Sequence, residues 1–131
     1  MELKIHHIGY LVKRMDKALA GFETLGYKRI SDIVFDNYRS IDICFVEKDG
    51  YVIELISPKG KESVVSALMK KLGNSPYHLC YECDDLENTE IELKNKGYVQ
   101  WDKAHEAIAF SERRVSFLMH PFLGMIELLE K

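Results

Sequence analysis

Displaced by 71 residues, the segment HHIGYLVKRMDKALAGFETLGY (6–27) lies on YHLCYECDDLENTEIELKNKGY (77–98) without a gap. His7 then meets His78, Tyr10 meets Tyr81, Met15 meets Leu86, Phe22 meets Leu93, and Gly26-Tyr27 meets Gly97-Tyr98. With a slip of two residues VIELISP (52–58) matches MIELLEK (125–131), so Glu54 meets Glu127. A sequence that repeats in this way encodes one supersecondary unit twice, and this restricts the fold more than any other feature of the chain.

Residue periodicity gives the content of the unit. Lys4–Val12 alternates like a strand, and Met15, Ala18, Leu19, Phe22 and Leu25 recur at helical spacing until Gly26 stops the helix. Tyr27–Phe35 and Arg39–Glu47 are rich in β-branched and aromatic residues, and Asp49-Gly50 forms a hairpin turn before strand Tyr51–Ser57. The second copy reads as strand Tyr77–Cys83 and a helix from Leu86 to Lys96 with a thin stripe of Leu86, Ile91 and Leu93. Strands follow at Tyr98–Asp102, Ala107–Phe110, Arg114–Met119 and Met125–Glu130. Between the copies Pro58-Lys59-Gly60 ends a strand, and Val64, Val65, Leu68 and Leu72 mark a short linking helix. The expectation is an α+β domain over residues 1–131. Two tandem βαβββ modules, residues 1–58 and 75–131, flank a linker helix over 59–74. They form a curved mixed sheet with helices on its convex side.

The 131 residues, 47% of them hydrophobic and 30% charged, suffice for one domain with a real core. A formal charge of -3 offers no basic footprint for nucleic acid. No apolar run approaches the roughly 20 residues needed to span a bilayer. MELKIHHIGY lacks a charged segment followed by an apolar run, so a cytoplasmic protein is expected. Cys80 and Cys83 have C-x-x-C spacing, but in the strand-like HLCYEC they point to opposite faces, as buried thiols rather than a joint metal or redox pair.

Strand parity selects the residues that carry chemistry. If Ile8, Tyr10 and Val12 pack on the helix, His7 points the other way; by the same count His78, Glu54 and Glu127 oppose the apolar residues beside them. Each module thus offers one imidazole and one carboxylate on the concave side. A carboxylate between strand hydrophobics is costly to bury without compensation, and two carboxylates with two imidazoles make a divalent cation the natural compensator. The donor set suits Ni²⁺, Co²⁺, Zn²⁺, Mn²⁺ or Fe²⁺.

HHIGYLV, VIELISP, SPYHLCYECDDLE and RRVSFLMHPFLGMIELLE resemble, in this order, segments of the vicinal oxygen chelate superfamily, which includes glyoxalase I and methylmalonyl-CoA epimerase. The resemblance implies metal ligands at His7, Glu54, His78 and Glu127, and a homodimer. Glu54 matches the ligand common in bacterial glyoxalase I, where the epimerase usually has Gln. Leu11 stands where glyoxalase I often carries an arginine that helps bind glutathione. HHIGYLV and the terminal HP-x-x-G-x-IELLE look more like the epimerase, and Asp42 in SIDICF lies near its non-ligand carboxylate base. Both branches remove a proton next to a carbonyl while the metal stabilises an enediolate, and a carboxylate shuttles the proton. Glu127 or Glu54 would be the base in the first branch, and Asp42 with Glu127 in the second.

The leading expectation is a glyoxalase I-type lyase isomerising the hemithioacetal of a 2-oxoaldehyde. The alternatives are epimerisation at C2 of an acyl-CoA thioester and a non-catalytic binding protein of the same fold. The partner expected is a thiol adduct or thioester, with no nucleic acid and no membrane. Among the remaining candidates, His6 points away from His7 as a structural residue and His105 is solvated. His120 precedes Pro121 at a strand end where a loop can serve a site. Arg113 and Arg114 either hold a substrate anion or occupy a solvated turn, and Trp101 and Tyr98 line the cavity or fill the core.

Overall fold

A computed structural model describes Met1–Lys131, with nine strands and three α-helices. The chain divides into two compact units, Ile8–Tyr77 and Met1–His7 with His78–Lys131. The break therefore falls at Tyr77/His78, and the first seven residues join the second copy of the repeat. The cause is β1 (Lys4–Leu11), whose leading half runs beside β6 (Ser75–Cys83).

The unit Ile8–Tyr77 contains the rest of β1, α1 (Met15–Thr24), β2 (Lys28–Arg29), β3 (Val34–Asp36), β4 (Ile41–Lys48), β5 (Tyr51–Pro58) and α2 (Ser66–Leu72). Its strands run in the order β2-β4-β5-β1, with β3 also on β4. Strand β1 is parallel to β5 and the other pairs are antiparallel. Val12, Met15, Cys44, Val46, Ile53 and Leu55 form its core, with Tyr10, Ala18, Leu19 and Phe22 packed against it. Tyr10 and Val12 therefore meet the helix, as parity requires. Asp49 and Gly50, both at positive φ (54° and 84°), make the tight turn between β4 and β5. The linking helix is α2, beyond Pro58.

The other unit adds α3 (Leu86–Lys94), β7 (Val99–Ala107), a single 3₁₀ turn at Ile108–Phe110, β8 (Arg113–His120) and β9 (Gly124–Glu130) to β6. The order is β6-β9-β8-β7, with β6 parallel to β9. Cys83, Leu86, Leu93, Leu118, Ile126 and Leu128 form its core. Asp85 caps α3 by accepting the Asn88 N–H at 3.1 Å. Each unit is a mixed sheet with a helix on one face, which is the expected α+β class. No helix is long and apolar enough to cross a membrane.

The repeat is visible in single hydrogen bonds. The Tyr27 N–H donates to Phe22 O at 3.1 Å and the Gly26 N–H to Glu23 O at 2.9 Å; 71 residues on, Tyr98 donates to Leu93 at 3.1 Å and Gly97 to Lys94 at 3.2 Å. Both glycines have φ near +97°, the left-handed conformation that ends a helix and costs other residues strain.

Three segments differ from expectation. The strand expected over Tyr27–Phe35 is broken into β2 and β3. Arg29 faces Val46 whereas Val34 faces Ile43, so two residues are extruded from the ladder. Ser31 fills the gap by accepting the Phe45 N–H on its Oγ at 2.9 Å. The strands expected at Tyr98–Asp102 and Ala107–Phe110 are instead one strand, β7, with two register shifts against β8, ending in the 3₁₀ turn. Two residues expected on helix stripes are exposed: Leu25, at the end of α1, and Ile91, 56% exposed. Leu86, Thr89 and Leu93 follow one face of α3 and are buried, while Ile91 is off it.

Leu93→Ala is therefore expected to cost about 2–5 kcal/mol in chemical denaturation. Ile91→Ala should stay within about 0.5 kcal/mol of the parent. Equal costs for the two would contradict the packing described.

Candidate metal centre

Three side chains converge within the unit that contains β6 and β9. Cys80 pairs with Glu127 between these strands, so Glu127 shares a face with Cys80 and with His78 two residues earlier. Its neighbours Ile126 and Leu128 point into the α3 core, which commits the carboxylate to the opposite face. His7 arrives on the leading half of β1. Its Nε2 lies 3.0 Å from Glu127 Oε1, the His78 Nε2 lies 3.1 Å from the same oxygen, and the two Nε2 atoms are 3.4 Å apart. The exposures are 2% for His7, 4% for His78 and 2% for Glu127, so bulk water does not solvate the group.

Burial alone would raise the Glu127 pKa, but hydrogen bonds from His7 and His78, with their charge, hold the carboxyl well below the usual carboxylate range. Glu127 is thus an anion in an apolar strand pair, with two imidazole nitrogens directed at one of its oxygens. Ligand atoms about 2.0–2.2 Å from a common ion stand roughly 3.0–3.5 Å apart between right-angle and tetrahedral geometry. The 3.0, 3.1 and 3.4 Å separations have that spacing, so the residues present fit a divalent cation.

Aromatic rings wall the imidazoles. Phe110 stacks on His7 at 5.6 Å and 16°, and Phe117, the β8 partner of Glu127, meets His78 edge-on at 5.3 Å and 82°. Neither phenylalanine stood out in the sequence, although Phe117 was accessible to the parity count once β8 was paired with β9. His6 also belongs here: its Nδ1 lies 2.9 Å from the Nδ1 of His7, so it is not turned away as strand alternation implied. Burial and then the adjacent His7 hold the His6 imidazole below its ordinary pKa.

Glu54 lies in the other unit. It is 3% exposed, pairs with Gly9 on β1 and Phe45 on β4, and faces away from the α1 core that holds Ile53 and Leu55. Asp42 does not share that face. It pairs with Ser57 and has the parity of Cys44 and Val46, which pack beneath α1, and its Oδ2 lies 3.3 Å from Lys59 Nζ. The uninterrupted β4–β5 ladder thus turns Asp42 to the face opposite Glu54. The carboxylate of the β3–β4 pair that does share the Glu54 face is Asp36, paired with Ile41 and bound by Arg39 at 3.1 Å.

The remaining candidates have local partners. Arg113 binds Glu82 and the Glu130 carbonyl, and Arg114 forks onto Glu130 at 2.6 and 3.0 Å and reaches Glu87 at 2.7 Å. These arginines are internal braces. His105 lies 2.8 Å from the Glu106 carbonyl, and His120 meets the Tyr98 ring at 4.6 Å. Trp101 contacts Phe117, and Tyr98 packs on the α3 core. Cys80 lies on the Glu127 face and Cys83 in the helix-side core, both buried and outside any disulfide.

Comparison with known proteins gives one consistent set. Mitochondrial methylmalonyl-CoA epimerase of Homo sapiens is 24% identical over 94 residues, covering 71% of this chain and 53% of its own length. The chain spans about half the length of the curated relatives it matches. A hypothetical protein from Bacillus halodurans C-125 superposes with a TM-score of 0.85 at 24% identity, over 100% of this chain and 96% of its own. Streptomyces coelicolor methylmalonyl-CoA epimerase in complex with 2-nitronate-propionyl-CoA gives 0.82 at 20% identity, over 99% of each chain. These superpositions establish the fold. The expectation of a glyoxalase I-type lyase is corrected by the same relatives, since those named for an activity are epimerases. The Glyoxalase/Bleomycin resistance protein/Dioxygenase superfamily matches residues 6–117, and the chain belongs to it.

Proposed function

We propose that the protein is a divalent-cation-dependent epimerase inverting C2 of a 2-substituted acyl-CoA thioester, of which methylmalonyl-CoA is the leading candidate. The observation that carries the reading is the buried convergence of His7 Nε2, His78 Nε2 and Glu127 Oε1. Its likeness to the methylmalonyl-CoA epimerases supports the choice of substrate. His7, His78 and Glu127 would hold the cation. Glu54, buried and the sole carboxylate of β5, occupies the repeat position of Glu127 in the other unit. Nitrogen and carboxylate donors in this number suit Ni²⁺, Co²⁺, Zn²⁺, Mn²⁺ or Fe²⁺. Bound there, the cation would supply Lewis-acid stabilisation of the negative charge that develops on substrate oxygens.

Inversion breaks the C2–H bond, moves its electron pair into the thioester carbonyl, and returns a proton to the opposite side of C2. It needs a base and an acid on opposite sides. Glu127 is assigned to one of these roles. Glu127 Oε1 is committed to the two imidazoles, which leaves Oε2 as the atom at which a proton is taken up or given. Phe110 and Phe117 keep water from the imidazoles.

Metal comes first among the tests. Purified protein should take up Co²⁺, and Co²⁺ at about 100 times its Kd should raise unfolding stability by about 2.7 kcal/mol. Glu127→Gln should remove that increment, and a parent protein with no metal-linked stabilisation would refute the centre. A second test is catalytic. In deuterated solvent the metal-loaded protein should exchange the C2 proton of methylmalonyl-CoA, with no turnover of methylglyoxal–thiol adducts. Glu127→Gln should lower the exchange rate by about 10²–10⁴-fold. Absence of exchange in the metal-loaded parent would end the epimerase assignment.

A further inference from the structure

We infer that His6 is a positioning residue: it accepts the Nδ1–H of His7 and thereby keeps the Nε2 lone pair of His7 directed at the cation. This rests on the metal-centre reading above. A neutral imidazole has one N–H and one lone pair, so fixing the role of one nitrogen fixes the other. His7 Nε2 faces Glu127 Oε1 at 3.0 Å and His78 Nε2 at 3.4 Å. If it gives its lone pair to a cation, the proton must stand on Nδ1. The atom 2.9 Å from that nitrogen is His6 Nδ1, which must then be the acceptor, with its own proton on Nε2.

Ring geometry supports this role. The His6 and His7 rings meet edge-on at 5.2 Å and 82°. Phe110 braces both, stacked on His7 and edge-on to His6 at 5.7 Å and 80°. The contact also works in reverse. Without a cation, His7 can carry its proton on Nε2 toward Glu127, and His6 then donates from Nδ1. On loading, the Nε2 proton leaves to solvent, the shared proton passes to His7 Nδ1, and His6 takes one from solvent at Nε2. Both rings remain neutral, and neither buried nitrogen loses its partner in either state.

One ring nitrogen from each of His6 and His7 and Cys80 Sγ lie within 4.8 Å of one another, which raises a competing use of the Nδ1 pair in a second metal site. That use would require both nitrogens of His7 to be unprotonated while Nε2 serves the main centre. A hydrogen bond needs no such loss.

The test uses the full chain and two variants. His6→Phe removes the acceptor at similar volume, and His6→Asn keeps an acceptor oxygen near the Nδ1 position. His6→Phe should weaken Co²⁺ binding by about 10–100-fold, the effect typical of a lost outer partner to a metal-bound histidine. His6→Asn should recover most of the affinity, while the metal-free thermal midpoints of both variants match the parent. In nitrogen NMR of the Zn²⁺-loaded parent, His7 should carry its proton on Nδ1. Parent-like affinity in His6→Phe, an Nε2–H on loaded His7, or a thiolate-to-cobalt absorption band from Cys80 would each overturn the proposal. A parent that takes up no Co²⁺ would remove the metal centre itself, whereas a metal-binding parent with an indifferent His6→Phe removes the role of His6 alone.

Discussion

The constraint on which the site depends is a carboxylate in an apolar strand pair. Glu127 lies between Ile126 and Leu128 on β9, and neither neighbour can solvate it. An isolated buried charge is too costly to persist, so its surroundings must neutralise it or bring opposite charge to it. Here His7 and His78 place imidazole nitrogens 3.0 and 3.1 Å from its Oε1, from two different strands. Strand order in this unit follows from the same demand, because β1 must bring His7 to the side of β6 that already carries His78.

Side-chain direction does the rest. In a strand, a one-residue slip would move Glu127 into the α3 core and Leu128 onto the site face. Ile126, Leu128 and Tyr81 against α3 fix β9 and β6, and Tyr10, Ile53 and Leu55 against α1 fix β1 and β5. Packing on each helix therefore determines where the polar residues of its own strands point. Leu93, in the α3 core with Ile126 and Leu128, helps set the register that aims Glu127.

Much of this was legible in the sequence, for a physical reason. The repeat doubled each signal: two His-containing strands, two helices ending in Gly-Tyr, and two Ile-Glu-Leu strands supported one another. What escaped was what the repeat does not encode. Ser31 breaks β2 from β3 by offering its hydroxyl to the backbone of β4, and no hydrophobic pattern announces a two-residue extrusion. The register shifts in β7 similarly merge two expected strands. Asp42 was misplaced because SIDICF alternates equally well in either phase; only the pairing of Asp42 with Ser57 settles its face. His6 was set aside by a rule of alternation that describes directions from the backbone and not where a long ring ends.

The choice between lyase and epimerase lay outside the reach of the ligand residues altogether. Both reactions take a proton from carbon next to a carbonyl and both need charge stabilised on oxygen, so a site built for that step looks alike in each. Discrimination must come from residues that meet the remainder of the substrate. Leu11, at the position compared with the glyoxalase I arginine, is not one of them. It is fully buried and in register with Ile56, on the face shared by Gly9 and Glu54. An arginine there would bury a guanidinium against Ile56, whereas leucine completes the packing. Position 11 is thus devoted to the core.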